Sequence, residues 1–448
     1  MKRFQRGYAD AGHPLPLYSA SPEAAADVPK DVRFLTLSIA FCLATSFIDI
    51  PLLKLSVSAP LMYMLFLNIL RRPNGVKLRH GIFSVMIIFL FLSMAMSSVV
   101  NTLFGNATYT LISFAQTYAR YAYWILCALI ACGVFYRYQI GHSVSLAFTV
   151  GITCLGVLLI IDYLVFGGLS STKNSLLTDL SKNDYAFQFS TFLPFLFYPI
   201  FFLKGKTRIW GIVGFIICLL AIVINTSRSA WGTTLLTIII YSSLYGMIVP
   251  KRGYRLFIGY FAVGLTFWIF LMLPGRFQEA VEERYQSIEN LEQDKSWQIR
   301  QLMIQKGLKL FNKNPWFGVG PYQFQSIRTE LDIPQALKYE HYTYFDSKST
   351  HNSYIQLLAE GGLSMAIPFG IILIILTIKG GRAVVFLARQ GIGWPLSLYT
   401  GIVGMNIHLW TLAGLTSTMP WFLYGMMAAI INLAGRKKKT RRRRRIRF

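Results

Sequence analysis

The sequence contains few charged residues, and very few of them are acidic. Only 14% of its 448 residues are charged and 54% are hydrophobic, whereas soluble domains carry about 25% charged residues. Apolar runs such as Ile212–Ile224 recur from Phe34 to Ala434, with few charges inside them. This composition argues against an ordinary soluble protein and predicts one polytopic membrane domain.

Several kinds of functional motif are missing as well. The sequence has no clustered metal ligands, no nucleotide-binding loop, and no serine or cysteine triad. Its cysteines lie inside apolar runs, which argues against a disulfide framework or a zinc site. They are Cys42, Cys127, Cys132, Cys154 and Cys218. We therefore expect a protein that uses neither a metal nor a cofactor.

Basic residues outnumber acidic ones by 44 to 19, and they are unevenly distributed. The N-terminal tail, alternate connections and the C-terminal run Arg436–Phe448 hold 29 basic and 4 acidic residues, which accounts for the whole net charge of +25. By the positive-inside rule these segments, including both termini, are cytoplasmic. The C-terminal run is expected to contact anionic membrane lipids and no nucleic acid, because no soluble nucleic-acid-binding module accompanies it. The N-terminal tail lacks the apolar stretch of a cleaved signal.

A membrane-spanning helix needs about 20 mostly apolar residues, and the sequence predicts about twelve such helices. The spans are 34–50, 52–70, 82–101, 109–135, 143–166, 185–203, 209–225, 229–249, 256–273, 352–378, 392–411 and 415–434. The expected fold is thus an all-α polytopic membrane protein. Its order is a tail (1–33), helices 1 to 9 (34–273), a large loop (274–350), helices 10 to 12 (351–434) and a basic tail (435–448).

The loop 274–350 lies on the far side of the membrane in this topology. Its length and its aromatic residues, among them Trp297 and Trp316, predict an ordered and functional segment. We expect Ser296 to cap a helix that runs to about Lys313 and ends at Asn314. The apolar face of that helix would lie at the membrane interface or pack on other parts of the loop.

Three features on this side carry polar groups suited to chemistry. Arg228, beside Ser227, is either an interfacial anchor or a guanidinium fork that faces a cavity and binds phosphate oxygens. In the loop, Arg276, Arg284 and Arg300 are either ion-paired with nearby acids or anion ligands.

The third feature is Thr350-His351-Asn352, which opens the span after the loop. With Ser349 or Thr350 as cap, the backbone N–H groups of the first helical turn would be free to bind an anion. His351 is either an interfacial residue or a base, since a positive surrounding favours the neutral imidazole that accepts a proton. Glu360, deeper in the same span, needs a partner, and Arg120 is the expected one.

The order of three motifs resembles the O-antigen ligase and polymerase superfamily of bacterial surface glycan assembly. They are TSRSAW (Thr226–Trp231), NPWFGVG (Asn314–Gly320) after an arginine-containing segment, and HNSYIQLLAEGGL (His351–Leu363). The resemblance is clearest between Pro194 and Leu363. It implies a GT-C-like, metal-independent inverting glycosyltransferase of the bacterial inner membrane, whose active site faces the periplasm and whose donor is an undecaprenyl pyrophosphate-linked glycan.

The resemblance also implies roles for individual residues. Arg228, Arg300 and either Arg276 or, as a weaker candidate, Arg284 would bind the donor pyrophosphate. His351 would activate the acceptor hydroxyl, with Asn352, Thr350 and Ser227 in support.

The acceptor stays open at this point. A lipid A-core sugar, giving an O-antigen ligase, is favoured over a second lipid-linked glycan, giving a polymerase, on the length of the loop and the HN motif. Protein O-oligosaccharyltransferase and transporter of the lipid-linked glycan are further alternatives. The transporter is disfavoured because the polar features lie near one face and no inverted repeat is visible.

Overall fold

The computed structural model describes most of the chain. The described residues are 28–45, 49–50, 55–56, 58–71, 81–104, 110–166, 182–225, 227–249, 264, 294–331, 333, 337, 345 and 348–446.

The regular secondary structure of the described residues is helical apart from one short ribbon. The helices are α1 (Lys30–Thr45), α2 (Ser58–Leu70), α3 (Ile82–Leu103), α4 (Leu111–Tyr138), α5 (Gly141–Phe166), α6 (Lys182–Phe202), α7 (Lys206–Ile224), α8 (Arg228–Ile248), α9 (Lys295–Lys313), α10 (Ser353–Ile374), α11 (Gly380–Ala388), α12 (Trp394–His408) and α13 (Thr418–Ile446). A π-helical stretch, Ile375–Lys379, joins α10 to α11. Two strands, β1 (Asp49–Ile50) and β2 (Leu55–Ser56), pair antiparallel.

Eight of the described helical segments are long and apolar enough to cross a membrane: α3 to α8, the continuous α10–α11 segment, and α13. The described helices are thus consistent with a polytopic membrane protein. The corresponding predicted spans agree within a few residues at most of their ends. The largest differences are after residue 378, where the helix continues through α11 to Ala388, and after residue 434, where α13 continues to Ile446.

The first two predicted spans are wrong as drawn. The β1–β2 ribbon lies where 34–50 and 52–70 were expected to meet, so α1 and α2 have only 16 and 13 residues. At 1.5 Å per residue these helices are roughly 24 and 20 Å long, less than the ~30 Å hydrocarbon thickness. The predicted span 392–411 corresponds to α12, which has 15 residues. The predicted span 256–273 lies outside the described residues apart from Gly264.

The bundle is organised around α6. In the most apolar 18-residue segment of α6, 83% is buried, compared with 44% in α3 and in α8. The reason is that α6 packs against four other helices, α5, α7, α8 and α12. Further pairs are α1 with α5, α3 with α10, and α4 with α13. The outer helices expose large apolar side chains such as Phe89 and Leu92 on α3, as expected of a surface that faces lipid.

The two ends of the bundle differ in character. At one end, the starts of α5 and α12 meet where Gly141 lies against the indole of Trp394, and Lys438 Nζ lies 5.0 Å from the ring centre of Phe386. The basic residues Arg137, Lys204 and Arg389 flank helix ends on this side. The starts of α6, α8 and α10 and the end of α12 lie at the opposite end, where the candidate site is found.

Candidate active site

The site begins with a break in α10 that receives the loop. At Gly362 the backbone leaves the helical conformation, with φ 60° and ψ −159°. The N–H groups of Leu363 and Ser364 donate to the carbonyls of Pro315 and Trp316 at 2.8 and 2.9 Å. A span of the bundle therefore forms backbone hydrogen bonds with the NPWFGVG segment, as one strand does with another.

Further hydrogen bonds hold the other end of this segment. The N–H groups of Val319 and Gly320 donate to the carbonyls of Ala359 and Glu360, both at 2.9 Å. Ser97 Oγ on α3 hydrogen-bonds to the Phe317 carbonyl and, at 3.2 Å, to the Glu360 carbonyl. Three parts of the chain, distant in sequence, are thus joined at one place.

The glycines in both motifs are required by this close approach. A Cβ on Gly318 would lie 2.5 Å from the backbone carbon of Glu360, and one on Gly362 would lie 2.6 Å from the backbone of Trp316. Both residues also have positive φ, of 61° and 60°, a region that favours glycine. The two glycine-containing motifs are therefore complementary surfaces of a single structural joint.

The loop has its own small apolar core, which positions α9. Leu302, Met303 and Leu310 of α9 pack with Val319, Phe324 and Ala359, the last of which belongs to α10. Gly307 permits close contact, because a Cβ there would lie 2.4 Å from the Ile355 side chain. The described part of the loop thus has a packed core of its own, and one face of α9 lies against it, although Trp297 stays 38% exposed.

Asp294 connects the start of α9 to the start of α8. Its Oδ1 accepts from the backbone N–H of Trp297 at 3.0 Å, so Asp294 caps the helix and the expectation that Ser296 does so is wrong. Its Oδ2 accepts from the Arg228 guanidinium at 2.9 Å. Burial raises the pKa of Asp294, but the Trp297 N–H and the charge of Arg228 outweigh burial, so the pKa lies below its ordinary value. The carboxylate is therefore ionised at neutral pH.

Arg300 lies about one and a half turns into α9. Its guanidinium is close enough to Arg228 and Asp294 for their charges to act on it. Burial and then the charge of Arg228 lower its pKa, while Asp294 acts in the opposite direction. An arginine remains protonated despite such a shift because its ordinary pKa lies so far above neutrality. Two guanidinium groups and one carboxylate thus form a region of net positive charge.

His351 faces the same region from the start of α10. Burial lowers its pKa, and the positive charges of Arg300 and Lys348 lower it further. Its Nδ1 is buried and makes no hydrogen bond among the described residues. The backbone has φ 50°, which is uncommon outside glycine and is a form of strain found at functional sites. The ring is therefore neutral at pH 7 and able to accept a proton.

Asn352 fixes the start of α10. Its Oδ1 accepts from the N–H groups of Tyr354 and Ile355 at 3.0 and 3.1 Å, while Thr350 Oγ1 accepts from the Asn352 N–H at 3.2 Å. The N–H of Ser353 donates to the Leu409 carbonyl at 2.9 Å. The expectation that the first turn offers free N–H groups to an anion is therefore wrong, because protein oxygens accept from them. Asn352, rather than Ser349 or Thr350, is the cap.

The expected pairing of Glu360 with Arg120 is wrong as well. Glu360 Oε1 accepts from the Phe324 N–H and from Gln356 Nε2, both at 3.4 Å, whereas the Arg120 guanidinium lies 5.6 Å from the ring centre of Tyr322. Glu360 is 5% exposed, and it holds the end of the loop segment through the Phe324 N–H. Its role in the described structure is to anchor the loop.

Two residues that the sequence analysis does not predict lie at the same end of the bundle. Asp294 was overlooked in favour of Ser296, although an aspartate directly before a helix is itself a capping signal. His408, at the end of α12, is fully buried and also interacts with the charge of Arg300. A lone histidine in an apolar segment was the one signal that could have found it.

The remaining predicted site residues are only partly defined. Arg276 and Arg284 lie outside the described residues. Ser227 precedes α8, and its Oγ lies 3.0 Å from Ser229 Oγ without capping the helix through its side chain. Of the predicted set, the structure thus brings together Arg228, Arg300 and His351.

Comparison with protein families gives one match that covers most of these elements. Residues 213–388 match the family model described as O-antigen ligase, and a search of curated proteins finds no match. The matched range includes Arg228, Arg300, His351 and both halves of the joint at Gly362. His408 lies beyond it.

Proposed function

We propose that the chain, whose residues 213–388 match the O-antigen ligase family, is an O-antigen ligase. In this proposal it is an inverting glycosyltransferase that moves a glycan from undecaprenyl pyrophosphate to a sugar hydroxyl of lipid A-core. The observation that carries the proposal is the convergence of Arg228, Arg300 and a neutral His351 at one end of a membrane bundle.

The two guanidinium groups suit the pyrophosphate of the donor. Each offers a planar fork of N–H donors that matches phosphate oxygens. When the glycosidic bond to phosphate breaks, negative charge grows on the leaving pyrophosphate, and fixed cations beside it stabilise the transition state. Arg276 or Arg284 would add a further cation from the loop.

His351 suits the acceptor. Its neutral ring takes the proton of the acceptor hydroxyl while that oxygen forms a bond to the anomeric carbon of the donor sugar. On the opposite face, the bond from the anomeric carbon to the phosphate oxygen breaks and releases undecaprenyl pyrophosphate, so the configuration inverts. Base catalysis of this kind contributes roughly 10²- to 10⁴-fold in rate. Asn352 and Thr350 would hold the ring in place.

The location of the site fits the outer face of a bacterial inner membrane. The site lies at the end of the bundle opposite the connections that carry Arg137, Lys204 and Arg389. Basic connections mark the cytoplasmic side, so the site would face the periplasm, and both termini, including the basic tail on its lipids, would be cytoplasmic.

A strain that lacks the gene, complemented with wild type or His351→Ala, tests the proposal through its lipopolysaccharide and its lipid-linked glycan. A ligase predicts that His351→Ala gives bare core and accumulated long lipid-linked polymer, whereas wild type gives core with a full ladder. Core that carries a single repeat would instead identify the chain as a polymerase.

His142 provides a matched control. Its Nδ1 lies 2.6 Å from the Tyr198 hydroxyl on helix α6, and the start of α5 lies at the end of the bundle far from the site. His142→Gln should therefore support a full ladder. A full ladder from His351→Ala as well, at equal protein level, would contradict the proposed role of His351 and with it the proposed function.

A further inference from the structure

His408 is a fully buried polar side chain that the proposed reaction does not yet use. It is 0% exposed at the end of α12, and its ring packs against Phe187, with ring centres 5.6 Å apart. Neither ring nitrogen makes a hydrogen bond of normal geometry among the described residues, although the backbone of Asn183 lies nearby. Burial removes the hydrogen bonds that water would supply, so a buried imidazole without well-formed hydrogen bonds needs an explanation.

The surroundings of His408 place it beside the site. Its neighbour Leu409 accepts a hydrogen bond from the N–H of Ser353 at 2.9 Å, and Ser353 lies two residues after His351. The Tyr354 hydroxyl donates to the Asn406 carbonyl at 2.7 Å. The end of α12 is thus fixed against the start of α10.

Arg300 is close enough to both histidines for its charge to act on them. Its guanidinium carries five N–H donors in a fixed planar arrangement, so it can donate to a histidine and to a phosphate oxygen at the same time. Three imidazole nitrogens of these two residues, Nδ1 of His351 and both of His408, are buried and make no hydrogen bond of normal geometry among the described residues. Both rings thus have nitrogens that could accept a hydrogen bond from a cation.

We propose that His408 is a positioning residue for the donor, which accepts a hydrogen bond from the guanidinium of Arg300, directly or through one water, when the pyrophosphate binds. The bond would fix the plane of the guanidinium, so that its remaining N–H groups face the pyrophosphate oxygens. The proposal rests on the proposed function, because it assigns Arg300 to the donor.

The test compares His408→Phe with His408→Gln in purified enzyme, with donor and acceptor varied separately. Phenylalanine keeps the contact with Phe187 and removes both nitrogens, whereas glutamine keeps an oxygen that can accept. A hydrogen bond to a charged group implies a loss of about 10- to 100-fold in kcat/KM for the donor in His408→Phe. The KM of the acceptor should stay unchanged, and His408→Gln should recover most of the loss.

A double-mutant cycle separates positioning from packing. In an Arg300→Gln background, His408→Phe should have little further effect on the donor, because the residue it acts through is already gone. A loss that is equal in both backgrounds, or a loss that His408→Gln fails to recover, would overturn the proposal. Full activity of His408→Phe beside an inactive His351→Ala would overturn this inference and leave the proposed function standing, whereas full activity of His351→Ala would overturn the function itself.

Discussion

Substitution of Gly362 by alanine tests whether the joint between the loop and α10 supports the site. Gly362 has φ 60° and ψ −159°, a region that is almost restricted to glycine. A Cβ added there would lie 2.6 Å from three backbone atoms of Pro315 and Trp316. Backbone atoms cannot rotate away as a side chain can, so the loop segment has to move.

The expected cost has two parts. Holding alanine in this backbone conformation costs about 1–3 kcal/mol, and overfilling a packed contact costs about 1–3 kcal/mol more. Relief of the clash would break the hydrogen bonds from Leu363 and Ser364 to the loop. Since the same loop carries Arg300, we expect turnover to fall at least about tenfold, which corresponds to ~1.4 kcal/mol in the barrier.

Gly370→Ala is the matched control. Gly370 lies in the same helix as Gly362, but a Cβ added there would have no neighbouring atom within 4 Å. Alanine is favoured over glycine inside a helix by about 1 kcal/mol, so this variant should be as stable as wild type or more so. The measurements are the midpoint of thermal unfolding in detergent and the turnover of purified protein. If Gly362→Ala unfolded at the wild-type temperature and kept full turnover, the joint would have no role in holding the site.

Three further predictions concern individual side chains. Lys348→Gln removes a positive charge that lowers the pKa of His351, so that pKa should rise and the acidic limb of the kcat/KM profile should move to higher pH; an unmoved limb would contradict the base assignment. Arg228→Lys keeps the charge but loses the fork, so the donor KM should rise, and unimpaired activity would exclude a bidentate contact. Asn352→Ala removes a cap worth about 1 kcal/mol; it should lower turnover, because His351 directly precedes it, and wild-type turnover would refute its supporting role.

The membrane helices and the motifs could be predicted from the sequence, because their signals are local. Stretches of about 20 apolar residues gave α3 to α8 within a few residues. The Asn314-Pro315 pair predicts the end of α9 correctly, because a proline disfavours the helical conformation at the residue before it. The resemblance of the motifs to one superfamily is confirmed by the match of residues 213–388.

The rest depends on contacts between distant segments. Nothing local marks the break at Gly362, because its cause is the segment 315–320, some forty residues away. The span that begins with α10 is predicted to end at 378 because the basic residues after it resemble a loop, whereas the helix continues through them to Ala388. The partner of Glu360 is predicted by charge, but its carboxylate accepts instead from the Phe324 N–H of the loop and from the Gln356 side chain.

The positive charge of the site comes from side chains and not from the start of α10. Protein oxygens accept from the first N–H groups of α10, so the charge has to come from side chains on α8 and α9. Asp294 links these two helices through Arg228. Such a partly exposed ion pair is worth at most about 1 kcal/mol, and a pyrophosphate carries more charge than one carboxylate. In the proposed reaction, the ion pair would orient the Arg228 fork before the donor binds and then yield N–H groups to the pyrophosphate, which would reduce the reorganisation that binding and catalysis require.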